Sequence, residues 1–509
     1  MSIIEQCEIL RRRDMREVFT FTIDPADAKD FDDALSFEIL NKDEVSDFQT
    51  SPQGSNTQTD SPAVYRIGVH IADVSFYVRP GTKVDEDAYK RGTSVYLVDR
   101  VLPMLPEELC NDKCSLRPNE DKLCMSVIFT MDSHARVIKY KVCRTAIRSN
   151  ARLNYDQAQS ILEAHSASTR QKDGNETATT SNVTAELSQA ITILNSLAQQ
   201  LRAERIANGA LIIEQEEMRF RLNQYGHPTE IYFEQTNEAH QLIEEFMLLA
   251  NRTIAKAVGS GRPFVYRVHD LPNGEKLEAV KQFEKFAKRK ASNDKVQMAN
   301  IQRAIELLTI RAQAKAVYST YNIGHFGLAF SHYTHFTSPI RRYPDLMVHR
   351  LVEKYILTGK KESMTREELE EKCEHCSACE QDAAQAERDS IKLFQAMWME
   401  DHIGEILPGH ISGVTDFGLF VQLDESHCEG LIHISKIGQP GEYWQYDERS
   451  YSLICENAQP AQSSSIATTT HPNSYTLGES VTVKVVRADV NKGQIDFEFA
   501  EKDEIINQK

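Results

Sequence analysis

Five aspartates lie within ten residues near the start of the chain: Asp24, Asp27, Asp30, Asp32 and Asp33. Carboxylates packed this closely repel one another unless positive charge lies between them. A hard divalent cation is their natural partner, and Mg²⁺ usually binds a few carboxylates together with waters and substrate phosphate. A site of this kind can hold a phosphodiester and activate water for in-line attack on the phosphorus.

A plainer interpretation of the same run is a solvated acidic turn that does no chemistry. The segments on either side, residues 18–23 and 34–39, are largely apolar and predict buried strands. Buried strands would hold the aspartates on a fixed scaffold, which favours a metal site over a solvated turn. From this run alone, the metal site and the solvated turn both remain open.

A second run, from His332 to Arg350, places Arg341 and Arg342 between two prolines, with histidines and aromatic residues around them. A guanidinium offers a planar fork of donors that fits phosphate oxygens, and aromatic faces stack on unpaired bases. Taken alone, the run also fits a structural loop with one arginine in a salt bridge. Together, the two runs suggest that one binds a metal ion and the other stabilises charge on a phosphate.

The rest of the chain predicts the scaffold that positions these runs. Patterns rich in β-branched and aromatic residues predict strands over residues 64–78, 123–130 and 139–148. Apolar residues at helical spacing predict helices over residues 188–208, 238–259, 299–321 and 364–402. Short strand patterns and glycine turns then dominate residues 406–499. This order predicts an α+β body followed by a small all-β module, with the boundary near residues 402–404.

Three polar, low-complexity stretches interrupt this pattern: residues 41–62, 164–183 and 457–474. Each lacks apolar periodicity, so we expect each to be a solvated loop that contributes nothing to a core.

Composition narrows the class of protein. The chain has 509 residues, with 75 acidic and 58 basic side chains and a formal net charge of −17. Its 41% hydrophobic and 26% charged residues are typical of a soluble globular protein and exclude a wholly disordered or fibrous one. No apolar run is long enough for a membrane span, and the polar N-terminus does not resemble a signal peptide. Ten cysteines are too dilute for a disulfide scaffold, so we expect a cytoplasmic protein with reduced thiols.

In this order, the two runs resemble the signatures of the RNase II/RNase R family of 3′-to-5′ exoribonucleases. Residues 22–34 are similar to the family's T-I-D-x-x-D-A-x-D-F-D-D-A signature, and residues 335–345 are similar to H-F-T-S-P-I-R-R-Y-P-D. The tail, with its segments 409–421 and 429–435, resembles an S1-type RNA-binding domain. The resemblance implies a large mixed catalytic RNB domain over residues 1–402 and a small all-β OB-fold (S1-type) barrel over residues 403–509.

The resemblance also implies roles for individual residues of the acidic run. Four aspartates match family positions that organise Mg²⁺ and the scissile phosphate: Asp24, Asp30, Asp32 and Asp33. Asp32 is expected to position or deprotonate the attacking water, whereas Asp27 falls at a variable position and is expected to be dispensable. Arg341 matches the arginine that stabilises developing charge on the phosphate.

Other matches imply contacts with RNA. Tyr96 corresponds to a tyrosine that contacts the last nucleotides at the 3′ end, and Glu387 to a glutamate that lines the same cavity. In the tail, Phe417, Phe420 and His433 fall where OB-fold modules present side chains that stack on bases. By contrast, we interpret the histidines near the second run as structural rather than catalytic: His325, His332 and His335.

Two departures from the family pattern limit what the resemblance implies. Family members usually carry cold-shock-type RNA-binding domains before the catalytic body, whereas here the resemblance begins at about residue 11. This departure bears on the capture of substrate and not on the chemistry. In addition, Ile213 replaces a phenylalanine that stacks on the terminal bases, which leaves the size of the end product open.

The expected function is therefore a Mg²⁺-dependent exoribonuclease that degrades single-stranded RNA from its 3′ end and releases nucleoside 5′-monophosphates. We expect a cytoplasmic monomer that does not associate with membranes. One alternative is a catalytically silent RNA-binding regulator on the same fold, although all four matched aspartates are present. Another is a metal-dependent nuclease that acts on DNA.

Overall fold

The computed structural model describes residues 3–41, 63–170, 185–212, 216–258, 261–290, 295–360, 364–439, 441–456 and 473–500. Most of the three low-complexity stretches, and Ile213, lie outside these residues, and so do the loop predictions made for them. Residues 164–170 are described and continue a helix, so the predicted loop is wrong for that part.

The described chain before residue 401, here called the body, contains these strands: β1 (Arg13–Asp14), β2 (Thr20–Asp24), β3 (Asp33–Leu40), β4 (Val64–Ala72), β5 (Val95–Tyr96), β6 (Val101–Leu102), β7 (Asp121–Asp132), β8 (Val137–Arg148), β9 (Ala151–Asn154), β10 (Glu217–Leu222), β11 (Pro228–Glu234), β12 (Tyr266–Val268) and β13 (Val317–Ser319). Seven of them form one sheet in the order β1-β8-β7-β4-β3-β2-β9. Strand β2 pairs in parallel with β9 and antiparallel with β3. The sheet therefore places the end of β2 beside the start of β3.

The helices of the body are α1 (Ile3–Ile9), α2 (Val74–Tyr77), α3 (Lys83–Arg91), α4 (Tyr155–Arg170), α5 (Ala185–Ala207), α6 (Glu238–Val258), α7 (Gly274–Lys290), α8 (Lys295–Arg311), α9 (Tyr343–Val352) and α10 (Arg366–Glu400). Short helical turns lie at Glu108–Lys113, Phe326–Leu328 and Glu353–Leu357. Helix α10 begins with a capping box, in which Thr365 and Glu368 each bond to the other's backbone N–H.

Helices pack on the large sheet, and its central strands β4 and β7 are buried along most of their length. Phe21, Ile67 and Phe129 from three strands are fully buried in one cluster with Phe246 of α6. Burial of this kind stabilises a domain by about 25 cal/mol for each Å² of apolar surface removed from water. The core therefore fixes the backbone at the ends of β2 and β3, from which the acidic run projects.

The C-terminal part, here called the barrel module, contains β14 (Ile406–Thr415), β15 (Gly418–Leu423), β16 (Glu429–His433), β17 (Trp444–Asp447), β18 (Ser452–Cys455), β19 (Ser474–Thr476), β20 (Ser480–Asp489) and β21 (Gln494–Phe499). Five strands close into a barrel in the order β14-β15-β16-β21-β20, and β17, β18 and β19 form a small separate sheet. Ala396 and Met399 near the end of α10 are buried in the same apolar cluster as Ile411 and Val421 of the barrel. The barrel module thus shares a core with the last turns of α10.

The predicted α+β fold class, a mixed body followed by a small β-barrel, is confirmed. Two predicted elements are wrong in extent. Strand β4 ends at Ala72 and a turn of helix follows, and the helix predicted over residues 299–321 ends at Arg311. The β-branched and aromatic residues beyond it form β13, because they pair with β12 at the edge of the body.

No helix within the described residues is both long enough and apolar enough to cross a membrane.

Candidate active site

Two of the predicted metal ligands are fixed by the large sheet. Asp24 is the last residue of β2, whose five residues are all buried, and Asp33 is the first residue of β3. The connecting residues 25–32, here called the acidic loop, carry Asp27, Asp30 and Asp32. The sheet therefore supplies the rigid scaffold that the flanking apolar segments predicted.

The four matched aspartates lie in an environment that disfavours their negative charge. Burial raises the pKa of each of them above its ordinary value, and the charges of neighbouring aspartates raise the pKa further: Asp24, Asp30, Asp32 and Asp33. Oδ2 of Asp24 is buried and has no hydrogen-bond partner among the described residues. Asp27, in contrast, is exposed. The charges of Arg152 and Arg341 lower these pKa values but do not outweigh burial, so positive charge compensates the four carboxylates only in part.

The second run lies directly against the acidic loop, although 308 positions of sequence separate the contacting residues. The backbone N–H of Ile340 donates to Oδ1 of Asp32 at 2.9 Å. Nε of Arg341 lies 3.8 Å from Oδ2 of the same carboxylate, and its charge lowers the pKa of Asp32 against the larger effect of burial. The Arg341 side chain is 42% exposed, so its guanidinium remains available to a ligand.

The neighbouring arginine has a different environment. Nη2 of Arg342 donates to Oδ1 of Asp345 at 2.8 Å, and the Asp345 side chain is fully buried. The same Oδ1 accepts the backbone N–H of Ser338. Arg342 therefore stabilises the start of α9, and of the two arginines only Arg341 contacts the acidic loop.

Tyr96 lies beside this pair of segments. Its neighbours Thr93 and Ser94 both donate hydrogen bonds to the backbone oxygen of Arg341, at 3.0 Å each. Partial burial raises the pKa of the Tyr96 hydroxyl, and the charges of Arg341 and the acidic loop act on it as well. The ring is 38% exposed, which leaves a face open beside the aspartates.

Glu387 is exposed on α10, one turn before Ser390, whose hydroxyl accepts the backbone N–H of Val98. Although the residue is exposed, partial desolvation raises the pKa of Glu387. The charged groups that also act on it are Glu217, Arg219 and Arg388 rather than the aspartates. The structure thus places Glu387 near the loop that follows Tyr96 but under the influence of a different set of charges.

Several residues around the acidic loop were missed by the sequence reasoning. The ring of Tyr155, which follows β9, stacks on His240 with centroids 3.7 Å apart, and the charges of Asp33 and Asp24 act on its hydroxyl. Arg152 of β9 and Ser115 contact the backbone of the loop. The four-residue strand β9 is too short for its pairing with β2 to be predicted from the sequence pattern.

The histidines in and near the second run take part in local hydrogen bonds. The partly buried His335 bonds through Nδ1 to the hydroxyl of Tyr318 at 2.8 Å, and Nδ1 of His325 accepts the backbone N–H of Leu328. Burial lowers the pKa of both rings. These contacts agree with a structural interpretation.

A divalent cation fits the acidic site by the chemistry of its donors. In the part of the chain that the structure describes, no three His, Cys, Asp or Glu side chains form a complete ligand set on their own. Mg²⁺ does not need one, because it keeps several waters and binds through one or two carboxylates and substrate phosphates. The four carboxyl groups and the unpartnered, buried Oδ2 of Asp24 are donors of the kind that a Mg²⁺ ion binds.

In the barrel module, the predicted stacking residues come together on one exposed face, here called the barrel patch: Phe417, Phe420 and His433. The two phenylalanine rings meet edge to face with centroids 5.9 Å apart, and Phe417 is 45% exposed. His433 pairs with Gly418 across β15 and β16, which places it on the same face of these strands as Phe420. An exposed aromatic cluster on an OB-type barrel is suited to stacking on bases.

The mixed body, its acidic loop beside Arg341 and the β-barrel with an aromatic face define a class of two-part protein suited to binding a phosphodiester chain. Residues 12–358 match the family model described as "RNB domain", and residues 400–499 match the one described as "S1 RNA binding domain". The chain therefore belongs to the RNB-domain family, and the resemblance drawn from its motifs is confirmed. The predicted boundary at residues 402–404 lies in the turn between α10 and β14.

Curated relatives carry the name Ribonuclease R. The protein of Thermotoga maritima is 36% identical over 521 residues, which cover 98% of this chain and 66% of that relative. The protein of Escherichia coli K12 is 33% identical over 511 residues, which cover 96% of this chain and 57% of that relative. The chain thus spans between half and two thirds of the length of these relatives.

Solved structures share the fold. RNase R of Mycoplasma genitalium, in complex with ribose-methylated single-stranded RNA, matches with a TM-score of 0.80 at 24% identity, over 98% of this chain and 73% of that one. Yeast Ssd1, described as a pseudonuclease, matches with a TM-score of 0.65 at 19% identity, over 89% of this chain and 54% of that one. The fold alone therefore does not decide whether a chain is active.

Proposed function

We propose that this chain is a 3′-to-5′ exoribonuclease that hydrolyses single-stranded RNA to nucleoside 5′-monophosphates with Mg²⁺. The observation that carries the proposal is the contact of the Ile340–Arg341 segment with Asp32, which brings a partly exposed guanidinium to a buried carboxylate site. The relatives named Ribonuclease R and the match to an RNB domain support it.

In the proposed mechanism Asp24, Asp30, Asp32 and Asp33 hold the cation, which would supply charge neutralisation at the phosphate and activation of water when bound. Oδ1 of Asp32 accepts the Ile340 N–H, and Oδ2 lies 3.8 Å from Nε of the partly exposed Arg341. Oδ2 is therefore the oxygen that would orient the attacking water and take its proton. Water adds to the last phosphorus and the bond to the 3′ oxygen of the preceding nucleotide breaks. The guanidinium of Arg341 donates to phosphate oxygens as negative charge develops.

The RNA would be held at two places. Tyr96 lies beside Arg341 with an open ring face and would contact the terminal nucleotides. The barrel patch would stack on bases further upstream. Both contacts need unpaired bases that can stack on aromatic rings. An A-form duplex would therefore be excluded, because its bases are not accessible for stacking.

The direct test is digestion of an RNA and a DNA oligonucleotide of the same sequence, each labelled at the 3′ end. With Mg²⁺ we expect the RNA label to be released at once as a nucleoside 5′-monophosphate, and EDTA to stop the release. The DNA label should stay on full-length strand. Binding of RNA without release would identify a silent RNA-binding regulator instead, and equal release from DNA would identify a less selective nuclease.

The barrel patch provides a second test. Phe417→Ala should weaken binding of a long single-stranded RNA by about tenfold, because one stacked ring contributes about 1–3 kcal/mol. Single-turnover cleavage of a short oligonucleotide should not change, since the ring lies on the barrel and not at the acidic loop. Point variants are preferable to deletion of the barrel module, whose core includes Ala396 and Met399 of α10.

The matched control is Tyr140→Ala, which removes a 45% exposed ring on β8 of the body. It should leave the affinity for long RNA unchanged in the same filter-binding series. Equal affinity of the Phe417 variant and wild type would show that the patch does not bind RNA.

A further inference from the structure

The backbone of the acidic loop is held from outside by Arg152 of β9. Nη2 of this arginine lies 2.8 Å from the backbone oxygen of Ala26 and 3.2 Å from those of Pro25 and Ala28. Its guanidinium also lies over the ring of Phe31, 4.8 Å from the centroid. One side chain therefore spans the loop from its first residue almost to its last.

The loop is held from the inside by Ser115. Its hydroxyl donates to the backbone oxygen of Lys29 at 2.7 Å and accepts the backbone N–H of Phe31 at 3.1 Å. Ser115 is fully buried, so these bonds are protected from competition with water. The next residue, Leu116, donates its N–H to the backbone oxygen of Phe31.

Such restraint has a physical reason. The acidic loop and its ends carry like charges that repel one another, and repulsion opens a loop that is not anchored elsewhere. Arg152 reaches the loop because β9 runs parallel to β2, with Arg152 opposite Thr22 and Asn154 opposite Asp24. The anchor therefore comes from the same sheet that fixes Asp24.

We propose that Arg152 is a positioning residue, which with Ser115 clamps the backbone of residues 25–31 so that the carboxylates of Asp30 and Asp32 converge with those of Asp24 and Asp33 on one cation. Arg152 donates to backbone oxygens of the loop and acts on the site through them. The inference rests on the proposed function, because the cation is the one that the exoribonuclease reaction requires. Outer residues that orient ligands typically change metal affinity by about 10- to 100-fold when they are removed.

The test uses the full chain and Mn²⁺ as a spectroscopic probe. Arg152→Ala should weaken Mn²⁺ binding, followed by the electron paramagnetic resonance of the free ion, by about tenfold or more. It should raise the Mg²⁺ concentration needed for half of the maximal single-turnover rate by a similar factor, and saturating Mg²⁺ should recover most of that rate. Arg152→Lys should also weaken binding, because an ammonium lacks the planar guanidinium that lies over the ring of Phe31 while its Nη2 bonds to the loop.

The matched control is Arg148→Ala. Arg148 is an exposed arginine at the end of β8, on the other side of the large sheet, and it pairs with Asp121 at 2.7 Å rather than with the loop. Its loss should leave Mn²⁺ affinity and Mg²⁺ dependence at wild-type values.

Wild-type Mn²⁺ affinity in both Arg152 variants would overturn the inference, as would absence of Mn²⁺ binding to the wild-type chain. A fall in the metal-free melting temperature of both variants, with unchanged Mn²⁺ affinity in the folded fraction, would assign Arg152 to stability alone and also overturn it. A wild-type chain that binds Mn²⁺ but releases no nucleotide from RNA would refute the proposed function. The Mn²⁺ titration would then still decide the role of Arg152.

Discussion

Asp32→Asn should reduce the rate of RNA hydrolysis by about a hundredfold to a thousandfold or more. The variant should bind RNA as tightly as the wild type or slightly more tightly. The amide keeps the shape of the side chain, and its oxygen can still accept the N–H of Ile340. What is lost is the negative charge of the carboxylate, whose Oδ2 lies 3.8 Å from Nε of Arg341 and would face the cation and the attacking water. Less charge beside the phosphate means less repulsion, so affinity does not fall with turnover.

The control for this prediction is Asp27→Asn, an exposed aspartate of the same loop. Single-turnover cleavage and filter binding of the same labelled RNA should be measured for both variants. We expect Asp27→Asn to retain wild-type turnover, because its carboxylate lies outside the buried set. Comparable loss in the two variants would show that the assignment of individual aspartates is wrong.

Arg341→Ala should lose cleavage activity, whereas Arg342→Ala should lose stability. Loss of Arg341 should lower the single-turnover rate by about a hundredfold to a thousandfold, because its guanidinium stabilises charge on the bound phosphate. The free energy of unfolding should change little, because the side chain is 42% exposed. Loss of Arg342 leaves the buried carboxylate of Asp345 without its cation. Breaking a buried pair in this way costs about 3–5 kcal/mol of the free energy of unfolding.

Urea denaturation and single-turnover cleavage, measured on the same preparations, separate these outcomes. The Arg341 variant should unfold at the wild-type midpoint and cleave slowly. The Arg342 variant should unfold at a clearly lower urea concentration. Wild-type stability of the Arg342 variant, or wild-type turnover of the Arg341 variant, would contradict the division of roles between them.

The residues of the candidate site could be picked out from the sequence because residue types at short spacing are visible there. Five aspartates in ten residues between two apolar segments predict a run held on a strand scaffold, although the run alone leaves both a cation site and a solvated turn open. Likewise, the β-rich pattern after residue 406 predicts a small β module, since strand alternation is a local property. The long helix α10 was predicted from its local pattern, whereas the helix predicted over residues 299–321 fails where residues 317–319 pair with β12 in a separate two-stranded sheet.

Only the tertiary structure decided which side chains meet. Arg341 and Arg342 are adjacent and chemically identical, and no local pattern distinguishes the one that contacts Asp32 from the one that pairs with Asp345. Arg152 and Ser115 come from segments more than 80 residues away from the loop that they contact. Their positions depend on the pairing of β9 with β2 and on the packing of distant chain segments. The sequence alone therefore determined what the site is made of, and long-range strand pairing determined how it is assembled.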